Sequence, residues 1–412
     1  MNNSKKKLFN DPVYGFISVR SELVFEIIQH PYFQRLRRIK QLGLTDFIYP
    51  GALHTRFHHA LGAMHLMDKA LTSLKSKGHM IFDAEYEAAI IAILLHDIGH
   101  GPFSHTLEFS LFKDINHEQI TLWTLNQLNK EFEGRLSMAI QVFEGRYPRK
   151  FLGQLVSSQL DMDRLDYLQR DCFFTGVNEG KIGAERIIEM LNLVGDELVV
   201  EEKAIYSIEN FLSARRLMYW QVYLHKTAIS AERMLIEIIK RAKKLRQSGD
   251  TITATPALAI FLERDIDQKD FSEDPDILKV FMQMDDTDIW GSIKFWINHK
   301  DLILSTLCRM LVNRKLFQVK LLNEKVDRQE YERLLKRVSE DLGVSKEQAK
   351  YFVKKGKVTN SAYLASDQSI KVLMKNGTIS DVASATDLPN IKAMSKIVEK
   401  HYICWPKHIN LN

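Results

Sequence analysis

Cysteine is scarce in this chain: three residues in 412, at Cys172, Cys308 and Cys404, odd in number and widely spaced. That excludes a disulfide framework and a zinc ribbon, and it fits a reducing cytoplasm. Long apolar runs are missing too. The longest of note, residues 88–95, falls well short of the roughly eighteen residues that a membrane span requires. The basic start MNNSKKKLFNDP has no apolar segment behind it, so it does not read as a secretory signal. Neither sign of charge dominates, since 57 Lys and Arg against 52 Asp and Glu leave a net +5. The local basic clusters, Lys5 to Lys7, Arg35 to Lys40, Lys240 to Arg246 and Lys354 to Lys357, read as solvated helix faces. Nucleic-acid binding without sequence preference is the alternative, but no nucleic-acid motif accompanies them. Internal repeats and low-complexity tracts are absent.

With 45% hydrophobic residues the chain can bury one large core or two lobes. Helical periodicity runs from residue 21 to about 350. Residues 197–212 are β-rich and predict a hairpin leading into a helix that carries Tyr219 and Tyr223. Residues 248–256 and the acid-rich 263–276 read as a loop and a surface connection. Further on, Asn376-Gly377 between two apolar runs predicts a second hairpin over 369–382, and residues 401–406 a last strand. The expectation is a mainly α protein: a helical core with a short β-hairpin over 1–330, and a smaller α+β lobe over 331–412.

The chemistry concentrates in LLHDIGHGPFSHTLE, residues 94–108, where His96, Asp97, His100 and His105 fall within ten residues. Residues 84–95 read as a buried helix capped by Asp83, with Gly99 and Pro102 marking its end. His96 and Asp97 then occupy its last turn, and His100 and His105 the segment leaving it. A single such histidine reads as a core or capping residue. A buried cluster, however, needs charge partners or a metal, and adjacent His and Asp can both ligate a divalent ion. Two ligands do not make a site. His58 and His59 upstream, and Asp161, Asp163, Asp166 and Asp171 downstream, are the candidates for the rest. On a helix Asp163, Tyr167 and Asp171 form one stripe.

The sequence resembles the HD-domain deoxynucleoside triphosphate triphosphohydrolases (dNTPases), a family that includes bacterial enzymes and an animal enzyme with a sterile-alpha-motif domain. The matching text is DPVYGFI (11–17), PYFQRLRRIKQLG (31–43), GALHTRFHHALG (51–62), LLHDIGHGPFSH (94–105), NHEQ (116–119), DMDRLDYLQRDC (161–172) and YWQVYLHK (219–226). The blocks follow the family's order over roughly the first 230 residues. The resemblance implies an HD-domain core with its metal site within residues 50–230, and metal ligands His59, His96, Asp97 and Asp163. His59 is preferred to His58 because it stands in the family's F-x-H frame. Mn, Fe, Co, Ni or Zn would suit such a site, with Mg arriving on the triphosphate.

Attack at the α-phosphate would release a deoxynucleoside and triphosphate. His105, backed by Glu108, is the implied general acid, and His100 and His117 would hydrogen-bond the α-phosphate. Arg56 and Arg164 would hold the outer phosphates. Tyr167, Asp171 and Tyr223 would contact the sugar, with Tyr223 excluding a 2′-hydroxyl. A homo-oligomer (dimer, tetramer or hexamer) with a dNTP or NTP activator at its interface is implied too, and Gln34 and Arg37 match residues of that regulatory pocket. The family's guanine-reading Asp is replaced by Gln29, which leaves the activator's base open. Other phosphohydrolases with a His-Asp pair fit less well: His100 follows the glycine where cyclic-dinucleotide phosphodiesterases have Lys, and no acidic pair follows Asp97 as in alarmone hydrolases. A nucleotide-sensing scaffold with decayed chemistry would have lost a ligand or a phosphate-binding histidine, and none is lost.

Overall fold

The computed structural model describes residues 7–112, 114–360, 369–386 and 398–409, and the side chains of His105 and Phe109 also lie outside the described residues. The chain opens with an antiparallel hairpin that periodicity alone did not foresee, β1 (Lys7–Asp11) and β2 (Gly15–Val19). Ser21 then caps α1 (Glu22–Gln29), its Oγ accepting from the Val24 N–H. Helix α2 (Pro31–Gln34) and a 3₁₀ turn over 35–38 lead to the long α3 (Arg56–Ser76) and to α4 (Asp83–Leu95). After α5 (His105–Leu111), α6 (His117–Glu131), α7 (Ser137–Phe143) and α8 (Lys150–Val156) comes α9 (Met162–Thr175). Helices α4 and α9 both pack on α3. Residues 88–95 of α4 are all buried, which is why that helix is apolar all round.

Asp83 does not cap α4. It sits exposed at the first helical position, while the Glu85 carboxylate reaches back to accept from the Phe82 N–H at 3.0 Å. A cap must stand outside the helix, so the carboxylate at the third position takes over the task.

After α10 (Ala184–Glu189), strands β3 (Leu191–Val194) and β4 (Glu197–Glu201) form the expected hairpin, but it starts earlier and ends sooner than its composition suggested. Residues predicted as strand up to 212 instead enter α11 (Ile205–Met218), because Ile208, Phe211, Leu212 and Met218 bury together at helical spacing. Helix α11 runs into a π-helical turn, Tyr219–Tyr223, and then α12 (Lys226–Gln247).

Beyond α13 (Pro256–Glu263), the acid-rich stretch is not a plain connection. It forms α14 (Gln268–Glu273) and α15 (Pro275–Phe281), whose N-termini are capped by Asp267 and Asp274. Those acids stand there because a carboxylate satisfies the free N–H groups of a first turn. Helices α16 (Asp286–Trp296) and α17 (Leu302–Val312) follow, then β5 (Phe317–Leu322), α18 (Arg328–Leu342) and β6 (Lys354–Asn360). The predicted late hairpin is present as β7 (Lys371–Leu373) and β8 (Ile379–Asp381), and the last strand as β9 (Val398–Pro406).

The fold is mainly α, with small sheets. Strand β7 joins β4 in parallel, and β9 lies between β5 and β6. The buried apolar residues form two clusters. One centres on α3, α4, α9 and α11, and the other on α5 and α12 to α18. The three cysteines are buried and free. Among the described residues no helix is long and apolar enough to cross a membrane.

Candidate active site

A cavity of about 480 Å³ opens between the two clusters. Its polar wall begins where α4 ends. The His96 Nδ1–H donates to the Ile93 carbonyl at 2.6 Å, which leaves Nε2 free to face outward. On α3 the His59 Nδ1–H donates to Asp166 at 2.7 Å, so its Nε2 faces the same point. The two Nε2 atoms lie 3.3 Å apart, and Asp163 Oδ1 from α9 lies 3.1 Å from one and 3.4 Å from the other. The circumradius of a triangle with those three sides is about 1.9 Å. That matches the ~2.0–2.2 Å that divalent ions keep from nitrogen and carboxylate oxygen. His59, His96 and Asp163 thus fit a divalent cation by distance and by donor type.

Asp97, the fourth expected ligand, stands beside this triangle. Its Oδ1 is 3.4 Å from His96 Nε2 and 3.3 Å from His100 Nε2, while Oδ2 is ion-paired with Arg56. The electrostatics favour positive charge. Burial works against a charged His59, yet its bonds to Asp163 and Asp166 raise it to about 10. Burial would push Asp97 up, but His96, Arg56 and His100 hold it well below the usual carboxylate range.

The segment leaving α4 turns sharply. A Cβ on Gly99 would come within 2.3 Å of the His117 carbonyl, so the close packing of this turn on α6 requires glycine. Phe103 and Ser104 adopt left-handed backbone at φ 53° and 52°, a conformation that costs about 1–3 kcal/mol in non-glycine residues. The Phe103 N–H, donating to Asp286 at 2.8 Å, helps hold that turn. His105 is the first residue of α5, and its side chain lies outside the described residues. Glu108 accepts from both the backbone N–H (2.6 Å) and the ring Nδ1 (3.0 Å) of His117, and its expected contact with His105 involves a side chain outside the described residues. The rings of His100 and His117 stack 3.9 Å apart. Burial and nearby Arg56 push His100 well below its usual range, so it stays neutral.

The expected helical stripe Asp163, Tyr167, Asp171 lines the cavity together with Arg56 and Arg164. Arg56 also donates to Ser104 at 2.9 Å, and Arg164 to the Ser158 carbonyl at 2.7 Å. Both Asp171 oxygens are engaged: one accepts from His54 Nε2 at 2.8 Å, the other from the Tyr223 hydroxyl at 2.7 Å. Tyr167 and Tyr223 meet edge to face, as do Tyr219 and Tyr223.

Sequence reasoning assigned no site role to Gln41, Tyr219 or Glu232, which also line the cavity. Tyr219 stands four residues before Tyr223, so the same face was legible. Glu232 lies on α12, where nothing local separates it from a surface acid. Gln34 and Arg37 bond to each other at 2.8 Å outside this cavity, and Arg37 stacks on Phe57.

The geometry agrees with the comparisons. The HD domain model matches residues 56–171, and the HD associated region model matches residues 182–254. The chain is 37% identical over 324 residues to the uncharacterized protein YwfO of Bacillus subtilis, covering 76% of this chain and 72% of that protein. It is 28% identical over 265 residues to the deoxynucleoside triphosphate triphosphohydrolase SAMHD1 homolog of Dictyostelium discoideum, covering 60% of this chain and about half (51%) of that one. A crystal structure of a phosphohydrolase from Bacteroides thetaiotaomicron superposes with a TM-score of 0.95 at 52% identity, covering 97% of this chain and all (100%) of that one. With the His/His/Asp triangle inside the matched region, the chain belongs to the HD-domain, dNTPase-like family of phosphohydrolases.

Proposed function

We propose that this protein hydrolyses deoxynucleoside triphosphates at the α-phosphate, releasing the deoxynucleoside and intact triphosphate. The observation that carries the reading is one cavity lined by three kinds of group: Asp163 and Asp97, through which it borders the His/His/Asp triangle, the cations Arg56 and Arg164, and the hydrogen-bonded Tyr223–Asp171 pair. Kinship to the Dictyostelium triphosphohydrolase supports the same substrate class. His59, His96 and Asp163, with Asp97 beside them, would hold a divalent ion. Such an ion polarises a phosphoryl oxygen and makes water a better nucleophile near neutral pH.

The chain's own residues do the rest. Arg56 and Arg164 bind the outer phosphates through charge-assisted hydrogen bonds. Neutral His100, stacked on His117, donates toward the α-phosphate as charge builds there. Water oxygen bonds to the α-phosphorus, the bond to O5′ breaks, and O5′ leaves with a proton that we assign to His105. Tyr167 and the Tyr223–Asp171 pair hold the sugar, and the Tyr223 ring occupies the space a 2′-hydroxyl would need.

Chromatography of products from each dNTP, alone and in pairs, tests this on metal-loaded protein. Triphosphate and deoxynucleoside in equal amounts are expected, with the matching ribonucleotide turned over far more slowly. Absence of triphosphate from every dNTP, singly or paired, would overturn the reading. The paired reactions also test an activator site near Gln34 and Arg37 in a homo-oligomer, which simple additive kinetics would refute. Elemental analysis identifies the metal.

A further inference from the structure

The DPVYG turn is left without a task by the chemistry above, yet it reaches the metal site through buried charge. Asp11 closes the β1–β2 turn by accepting from the Val13 and Tyr14 N–H groups at 2.9 and 3.0 Å. Its other oxygen accepts from Arg170 Nη1 at 2.7 Å. The guanidinium of Arg170 then forks onto both oxygens of Asp166, at 2.9 and 3.0 Å. Asp166 in turn accepts from His59 Nδ1. Tyr14 supports the same group, with its ring under the guanidinium and its hydroxyl donating to Gln169 at 3.1 Å. Arg170, Asp166 and His59 are 0% exposed and Asp11 7%.

We propose that the Asp11–Tyr14 turn is a positioning element of the metal centre, acting through Arg170 and Asp166 on the ring of His59. The inference rests on the reading of His59 as a metal ligand.

Two observations carry it beyond a structural staple. Burying two carboxylates and a guanidinium is costly, and apolar packing of the same volume generally fastens a hairpin at least as well. The arrangement also ends on the one ring atom whose partner decides the tautomer. With one proton held on Nδ1, the proton on Nε2 is the one a metal ion displaces, and the lone pair so freed is aimed at the point shared with Asp163 and His96. Gly62, three residues after His59 on the same face of α3, makes the room. A Cβ there would lie 2.0 Å from Asp166 Oδ1 and 2.1 Å from Arg170 Nη2. The relay therefore accounts for the glycine at that spacing from the ligand, and for Asp11 at the turn.

The test uses the full-length protein and Co²⁺ alone, with affinity measured by chelator competition and the bound ion followed by its visible absorption. Asp166→Asn should weaken Co²⁺ binding by about 10–100-fold, as loss of a ligand's hydrogen-bond partner does elsewhere. Asp11→Asn keeps the shape of the turn but not its charge, and should weaken binding by roughly threefold or more while shifting the absorption band. Ile17→Ala, which loosens the hairpin only through the core, should lower thermal stability with Co²⁺ affinity within about twofold of wild type. Wild-type affinity in Asp11→Asn, alongside weakened binding in His59→Ala, would overturn the positioning role. Unchanged binding in His59→Ala would instead overturn the metal-ligand reading, and the inference with it. Should Asp11→Asn not fold, Asp166→Asn decides alone: affinity within twofold of wild type overturns the proposal.

Discussion

On the α3–α4–α9 wall of the cavity, buried charges meet partners of opposite sign within the protein. Asp97 pairs with Arg56, Asp166 with both Arg170 and His59, and Asp163 with His59 and His96. The opposite side is built differently. Behind the Phe103 turn that lines it, Asp286, buried and held by the Phe103 and Lys40 N–H groups, is raised by burial to about 6. Glu232 is likewise raised to about 7 by burial, with adjacent Arg233 only partly offsetting it. The left-handed turn at Phe103–Ser104 belongs to this side too. One wall spends ionic partners on fixing the ligands. The other carries acids that are largely neutral below their raised pKa values, and strained backbone beside the proposed proton donor. The difference teaches that the metal wall is organised by charge pairing, so breaking a pair should cost more there than altering a lone acid opposite.

The largest effect is expected on the paired wall. Asp163→Ala removes the carboxylate shared by both histidines, and hydrolysis should fall by at least about 10³-fold with loss of stoichiometric metal. Full activity and metal content in that variant would break the comparison at its base. Next in size, Arg170→Met strands two buried carboxylates, which should lower stability by about 3–5 kcal/mol in thermal or denaturant unfolding. A loss below about 1 kcal/mol would mean that the charges of this wall are not mutually dependent.

Tyr223→Phe probes the boundary between the walls by removing one of the two donors to buried Asp171. A fall of about 10-fold in kcat/KM for dNTPs, carried mainly by KM, is expected, with discrimination against ribonucleotides largely kept because the ring remains. Unchanged kinetics would detach the Tyr223–Asp171 pair from sugar recognition.

The smallest effect belongs to Glu232. Its folded pKa, about 7, lies above its ordinary value of 4.5, so between those pH values the folded protein holds a proton that the unfolded chain has released. Stability should therefore fall as pH rises through that window. Glu232→Gln should remove that part of the fall and be the more stable protein above pH 7, by on the order of 1 kcal/mol given the side chain's partial exposure. The gap should close near pH 4. A gap independent of pH would remove the contrast between a paired wall and an unpaired one.

The legible part of the site was local. The apolar run 88–95 announced a buried helix, and His96-Asp97 at its end announced a polar delivery point, because burial leaves such groups few alternatives to partners. The stripe of Asp163, Tyr167 and Asp171 followed from the helical period, and the three do line one cavity. Misreadings were local as well. Asp83 was taken for a cap although the helix already included it, and the hairpin was extended past Glu201 into α11. β-branched and aromatic residues suit a strand and a buried helix face alike, so composition could not place that boundary.

What the sequence determined by itself is which residues can do the chemistry and which face of each helix carries them. Period and apolar pattern are properties of consecutive residues. Only the tertiary structure decided the partners. His59 meets Asp166 across 107 positions, Arg170 meets Asp11 across 159, and Glu108 accepts from His117 on the next helix. Such pairs are set by how helices and the hairpin pack, and a carboxylate reads the same in sequence whether it caps a helix, orients a histidine or waits for a metal.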